Sequence, residues 1–275
     1  MNEFYSLEKK DSVVRLLQIT DPHLFSAKHD TLLGVNTTDS FQAVLDQIQH
    51  SPFNYEAVLA TGDLIQDHNP EAYHRFAEMV KQLGKPIFWL EGNHDQQPQM
   101  SLYLAKHSHI QPEKQILAGS HWQILLLNSQ VANAPSGNLS FGQLAWLESK
   151  LAEYPERYVL VGLHHNILPT NSAWLDQHCL KNSDALAEVL SHYPNVKAIL
   201  HGHIHQEVDA IWKNYRVLAT PSTCIQFKPN CNEFTLDLLP QGWRELSLFA
   251  DGRIETRVKR LTSNEFLPDL RSKGY

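Results

Sequence analysis

The sequence is poor in cysteine: three in 275 residues, at Cys179, Cys224 and Cys231, with no C-x-x-C pair. That excludes a disulfide framework and a thiolate-built structural zinc site. No apolar run approaches the length of a membrane span, and the first ten residues carry no hydrophobic leader segment. No block of five like charges occurs, so no electrostatic tail is expected. The net charge of −7 argues against a general nucleic-acid binder, which needs a basic stripe to displace counterions. Together these absences lead to the expectation of a cytoplasmic protein with reduced thiols, without membrane or nucleic-acid partners.

What is present is an ordinary globular composition, 42% hydrophobic and 19% charged, and a surplus of histidine, 16 residues. A histidine-rich chain of this kind suggests metal ligation or proton transfer. No internal repeat, low-complexity segment or linker interrupts the chain. One domain over residues 1–275 is therefore expected, with residues 1–12 as a flexible N-terminal lead.

Apolar runs at Val13–Thr20, Glu56–Thr61, Pro86–Leu90, His121–Leu127, Arg157–Leu163 and Val196–Leu200 read as strands. Helical faces separate several of them. Phe41, Val44, Leu45 and Ile48 follow the Asn36–Asp39 cap candidates, and Tyr73, Phe76, Ala77 and Val80 follow Pro70. Ser140-x-x-Gln143 forms a capping-box pattern ahead of Leu144, Leu147 and Leu151, and Asn182-Ser183 is placed to cap another helix. The end of the chain reads as short strands, with a hairpin turning at Asp251-Gly252. Strands alternating with helices and then giving way to strands predict an α/β fold with helices flanking a layered sheet system.

Five polar clusters follow apolar strands: Asp21-x-His23, Gly62-Asp63, Gly92-Asn93-His94-Asp95, His164-His165 and Gly202-His203-x-His205. Each has a plain alternative taken alone: a capping Asp, an Asx turn, a Gly-Asn loop, a core histidine. Their shared position after strands is what raises them, because ligand crevices in open α/β sheets lie outside the carboxyl ends of the strands. Asp21, His23, Asp63, Asn93, His164, His203 and His205 supply two carboxylates, four imidazoles and one amide. This oxygen/nitrogen set suits manganese, iron or zinc. It exceeds what one tetrahedral ion needs, and two ions sharing a carboxylate would use it all.

In this order the clusters resemble the five-block signature of the calcineurin-like metallophosphoesterases. The resemblance implies a four-layer α/β/β/α sandwich with a dinuclear site at the strand ends. It implies Asp21, His23 and His205 on the first divalent ion, Asn93, His164 and His203 on the second, and Asp63 bridging. Such enzymes attack phosphorus in line, with a hydroxide generated between the ions. The leaving alkoxide then needs a proton, for which His94, beside Asn93, is the expected donor, with Asp95 supporting it. His165 and His201 are expected to be structural or supporting.

Gln66-Asp67 stands where protein phosphatases of this fold have Asp-Arg and purple acid phosphatases a tyrosine ligand. With no arginine inside the five blocks, a singly charged diester fits better than a dianionic monoester. Leu17–Asp21, Leu33–Thr37, Ala60–Leu64, Trp174–His178, Ala219–Cys224 and the Phe266–Tyr275 end are similar to the class III cyclic-nucleotide phosphodiesterases. That resemblance implies hydrolysis of 3′,5′-cyclic AMP to 5′-AMP, with Fe2+ or Mn2+ as the usual metals. Substrate contacts are then expected from His23, Asp63, Asn93, His94 and His205. The Trp174–His178 and Pro221–Lys228 loops are the expected walls for purine and ribose. Two alternatives stand beside this reading. One is a broad phosphodiesterase acting on 2′,3′-cyclic nucleotides or glycerophosphodiesters; the other is a scaffold on the same fold that has lost catalysis.

Overall fold

In the computed structural model, which describes residues 4–8, 12–272 and 274, the strand Val13–Ile19 is buried along most of its length. Its side chains divide between two cores. Val14 and Leu16 join one hydrophobic cluster, while Leu17 and Ile19 join another. A strand apolar on both faces belongs inside a layered structure, covered on each side.

Two sheets result. The six-stranded sheet runs Ile254–Arg260, Gly242–Phe249, Val13–Ile19, Ala57–Ala60, Ile87–Trp89 and Ile110–Gln111. The seven-stranded sheet runs Tyr5–Leu7, Gln115–Ala118, Trp122–Leu126, Tyr158–Gly162, Val196–His201, Tyr215–Ala219 and Val208–Trp212. Leu16, Leu59, Phe88 and Leu90 of the first meet Ile124, Leu126, Leu160 and Leu200 of the second in a shared core. The helices Thr37–Gln49, Glu71–Val80 and Gln99–Leu104 cover the outer face of the six-stranded sheet through Phe41, Phe76 and Met100. Phe141–Glu153 and Ser183–Ser191 cover the other outer face through Leu147, Leu151, Leu186 and Leu190. The layers are α/β/β/α, as expected.

The expected helix starts hold, with two differences in how they are capped. Asn36 Oδ1 accepts from Asp39 N at 3.0 Å, and Ser140 Oγ accepts from Gln143 N at 3.1 Å. The second half of the Ser140 box is absent, since Gln143 Oε1 instead accepts from Asn128 N. Asn182 precedes its helix but makes no cap. Its amide bonds both Leu139 N and Leu139 O, tying two loops together.

The flexible lead is a correction. Residues 1–3 and 9–11 lie outside the described residues, but Tyr5–Leu7 is a strand pairing in parallel with Ile116–Ala118. Leu7 is buried in the inter-sheet core and the Tyr5 ring sits edge-on to Phe88, centroids 5.0 Å apart.

Val13–Ile19, Ala57–Ala60 and Ile87–Trp89 are neighbouring parallel strands. Their C-terminal ends therefore lie along one edge, and the residues that follow them share it. Tyr158–Gly162 and Val196–His201 are likewise parallel neighbours in the other sheet. The topology thus delivers all five polar clusters to one end of the sandwich.

Candidate metal centre

The loops after these strands are laced together by backbone bonds. Asp21 N donates to Gly62 O, His23 N to Asp63 O, and Gly202 N to His164 O, at 3.1, 3.1 and 3.2 Å. The close approach requires glycine. A Cβ on Gly62, whose φ is +93°, would lie 2.6 Å from His164 Nδ1, and one on Gly202 would lie 2.6 Å from Asp21 Oδ2. Asp21, His23, Asp63, His203 and His205 all hold left-handed backbone, with φ between 47° and 69°. A non-glycine residue there costs of order 1 kcal/mol or more. Five of the seven candidate ligands share that conformation, so the lacing holds a strained arrangement where the chemistry is expected.

All seven side chains converge. One set is Asp21, His23 and His205, the other Asp63, His164 and His203, each with ligand atoms within 4.8 Å of one another. In the first, His205 Nε2 lies 3.3 Å from Asp21 Oδ1 and 3.2 Å from His23 Nε2. In the second, His164 Nε2 lies 3.2 Å from His203 Nδ1, 3.1 Å from Asn93 Oδ1 and 3.2 Å from Asp63 Oδ2. Asp63 joins the two sets. Its Oδ1 accepts from His94 N at 2.8 Å, while Oδ2 faces His164 Nε2 and stands 3.9 Å from His23 Nε2.

Supporting contacts fix which atoms face inward. His23 Nδ1 lies 2.8 Å from Gln66 Oε1, and His164 Nδ1 lies 2.8 Å from the Thr61 carbonyl. Both partners are oxygen acceptors, so each Nδ1 carries hydrogen and each Nε2 turns a lone pair inward. Asp21 Oδ2 accepts from Thr20 Oγ1 and His203 N, leaving Oδ1 toward His205. His205 is further set by stacking on Phe227, with ring centroids 4.2 Å apart and planes at 9°.

The donor atoms fit divalent cations. His164 Nε2, His203 Nδ1, Asn93 Oδ1 and Asp63 Oδ2 are electron-rich atoms gathered about one point, which needs a positive charge. Burial pushes His164 down, but Asp63 outweighs it and raises the imidazole to about 9, a sign of how strongly this point favours positive charge. Burial raises Asp63, yet His164, His94 and His23 together hold it well below the usual carboxylate range. Burial also raises Asp21, with His205 reversing the effect and holding it low. Burial depresses His23 to about 3 and holds His203 well below the usual imidazole range, keeping both neutral and competent to ligate. Separations of 3.1–3.3 Å match the edges of a coordination polyhedron whose metal–ligand bonds are ~2.0–2.2 Å.

His94 sits beside both sets, its ring edge-on to His23 with centroids 5.0 Å apart. It lines a cavity of about 790 Å³ together with Asn93, His203, Trp174, Phe227 and Phe234. Asp21, His23, Asp63 and His205 lie beneath that floor, at most 1% exposed. Of the residues expected to touch substrate, Asn93 and His94 therefore line the cavity directly.

Several supporting roles differ from expectation. Asp95 directs its carboxylate at backbone, accepting from Leu64 N and Gly92 N at 3.1 and 2.9 Å, and so clamps the Asp63 and Asn93 loops together. Burial, reinforced by Asp63, raises it to about 8. Of Pro221–Lys228, Phe227 lines the cavity, while Ser222 Oγ and Thr223 N bond the Asp21 and Thr20 carbonyls. Sequence reading missed Phe234 and the Gln130–Pro135 loop, which complete the cavity. His165 and His201 are buried and bonded to Ser129 Oγ and Gly202 O, in supporting positions.

Residues 14–207 match the calcineurin-like phosphoesterase family, and the protein belongs to it. Within that family it is 54% identical over 275 residues to the 3′,5′-cyclic adenosine monophosphate phosphodiesterase CpdA of Haemophilus influenzae, covering 100% of both chains. It is 53% identical over 262 residues to the CpdA of Escherichia coli K12, covering 95% of each. Among solved structures, a dimetal phosphatase from Danio rerio shares the fold with a TM-score of 0.63 at 16% identity, covering 91% of this chain and 99% of that one.

Proposed function

We propose that this protein hydrolyses 3′,5′-cyclic AMP to 5′-AMP at a dinuclear centre. Asp21, His23 and His205 hold one ion, Asn93, His164 and His203 the second, and Asp63 is shared. The observation that carries the reading is the single Asp63 oxygen facing both histidine sets beneath an aromatic-walled cavity. The cyclic-AMP phosphodiesterases to which this chain is similar over at least 95% of both lengths support the substrate. The nitrogen and oxygen donors without thiolate suit iron, manganese or zinc, and iron or manganese is the pair proposed here from the family resemblance. Two such cations would supply Lewis-acid charge against the phosphoryl oxygens and lower the pKa of water between them.

The chain's own residues do the rest. Asn93 and His94 meet the phosphate at the cavity floor. Burial keeps His94 neutral despite the pull of Asp63, so it can donate one ring N–H. As a water-derived oxygen bonds phosphorus, the P–O3′ bond breaks and charge grows on O3′, that hydrogen bond strengthens and the proton passes to O3′, making it the 3′-hydroxyl. Trp174, Phe227 and Phe234 pack edge-to-face with centroids 5.0–5.7 Å apart, a wall suited to a purine. Trp174 Nε1 is buried with no hydrogen-bond partner among the described residues. No helix among the described residues is long and apolar enough to cross a membrane, and the cysteines are free, in keeping with a cytoplasmic place.

A metal-reconstituted panel of 3′,5′-cyclic AMP, 3′,5′-cyclic GMP, 2′,3′-cyclic AMP and an aryl diester tests the substrate. The expected result is the highest kcat/KM for 3′,5′-cyclic AMP; a much larger value for the 2′,3′ ring overturns the assignment. In the same panel, Trp174→Ala raises KM for cyclic AMP about tenfold, the worth of one stacked base. Its turnover of the aryl diester stays near wild type. An unchanged KM for cyclic AMP removes Trp174 from the purine wall.

A further inference from the structure

Away from the dinuclear centre, a second group of metal-type donors stands on the surface. His74 and Glu78 are four residues apart on the helix Glu71–Val80, hence neighbours on one exposed face. His107 comes from the turn after the helix Gln99–Leu104 and is held there by backbone bonds, His107 N to Leu104 O and Ile110 N to His107 O. Its ring lies across the helix face. His107 Nε2 is 3.1 Å from His74 Nδ1, and His107 Nδ1 is 3.2 Å from Glu78 Oε1. One ligand atom from each of the three falls within 4.8 Å of the others. His109 braces the group: its Nε2 lies 2.8 Å from Ala77 O, and its ring centroid is 5.8 Å from that of His107.

From this arrangement we infer that His74, Glu78 and His107 form a separate surface site for one divalent transition-metal ion, zinc being the best match. Two imidazoles and one carboxylate are an accepted zinc set, and the exposed side leaves the fourth position to water. Burial, with help from the neighbouring His74, lowers the His107 pKa, which favours the unprotonated ring a metal needs. The unprotonated ring can donate Nδ1–H to Glu78 and accept at Nε2 from His74, and ion binding would replace one of these two hydrogen bonds. The ion would pin the turn at residues 105–110 to the helix. That same helix carries Arg75, whose guanidinium donates to Phe25 O and Ser26 O just beyond His23. The site therefore braces the outside of the element that fixes the first ligand loop.

The test is metal content by elemental analysis of the zinc-reconstituted enzyme at micromolar free zinc, with cyclic-AMP turnover measured on the same samples. Wild type is expected to retain about three zinc ions per chain, and His107→Ala about two, with turnover unchanged within about twofold. Glu78→Gln, an exposed and isosteric change, guards against misfolding of the first variant and is expected to weaken the third ion at least tenfold. Two ions in wild type, or three retained in both variants, overturns the site. So does loss of turnover in step with the third ion, which would place that ion in the catalytic centre.

Discussion

Asp63→Asn is expected to leave the protein folded, to lower its bound metal from two ions to one or none, and to cut kcat/KM at least ~1,000-fold. That factor corresponds to about 4 kcal/mol of lost transition-state stabilisation. The substitution is nearly isosteric, and asparagine accepts left-handed backbone at least as readily as aspartate, so the φ of 50° survives. Its amide oxygen can still accept from His94 N. What disappears is the negative charge at Oδ2, the atom facing both histidine sets. Without it, four of the six remaining donors are neutral imidazoles, one is a neutral amide, and Asp21 alone opposes the charge of two cations. Elemental analysis with a thermal melt checks the prediction. A variant that keeps two tightly bound ions and near-normal turnover would remove Asp63 from the shared position.

For His94→Ala the expected loss is in the chemical step alone: both ions kept, kcat for cyclic AMP lower by ~100–10,000-fold, the range for one general acid. The decisive readout is leaving-group dependence. A 3′-alkoxide needs a proton as it departs, whereas nitrophenolate is stable without one, so an aryl diester should lose far less. Geometry makes the metal measurement necessary as well. His94 stands with His23 and Asp63 at ligand spacing, so it could coordinate rather than donate. Loss of an ion in His94→Ala would exchange the proton-donor role for a ligand role. An equal loss for both substrates would point to simple positioning.

The site was more legible in the sequence than the surroundings that make it work. Asp21, Asp63, Asn93, His164 and His203 each follow a short apolar run whose end is marked by a change to polar residues or glycine, and parallel pairing then brings the ends together. Asp95 shows the limit. Its partners are the backbone of Gly92, close by, and of Leu64, 31 residues earlier, and nothing in residue type foretells a backbone partner in another loop. Phe234 is one aromatic in an irregular stretch, and only the fold sets it against Trp174. Tyr5–Leu7 and Gln115–Ala118 are short strands without the long apolar runs that betray central ones. Val208–Trp212, at the sheet edge, is at most half-buried along its length and alternates too weakly to announce itself.

The left-handed backbone of the five candidate ligands bears on metal choice. A pocket whose loops are bent and laced together by backbone bonds resists remodelling around whichever cation binds. Intrinsic affinities of nitrogen and oxygen donors rise toward copper along the Irving–Williams series, so affinity by itself would load the wrong ion. Ring nitrogens held about 3.2 Å apart set a ligand–ligand edge in advance, so ions are told apart by how well their own bond lengths and angles span it. Bent backbone, costly to the fold, thereby brings geometry into metal choice beside affinity.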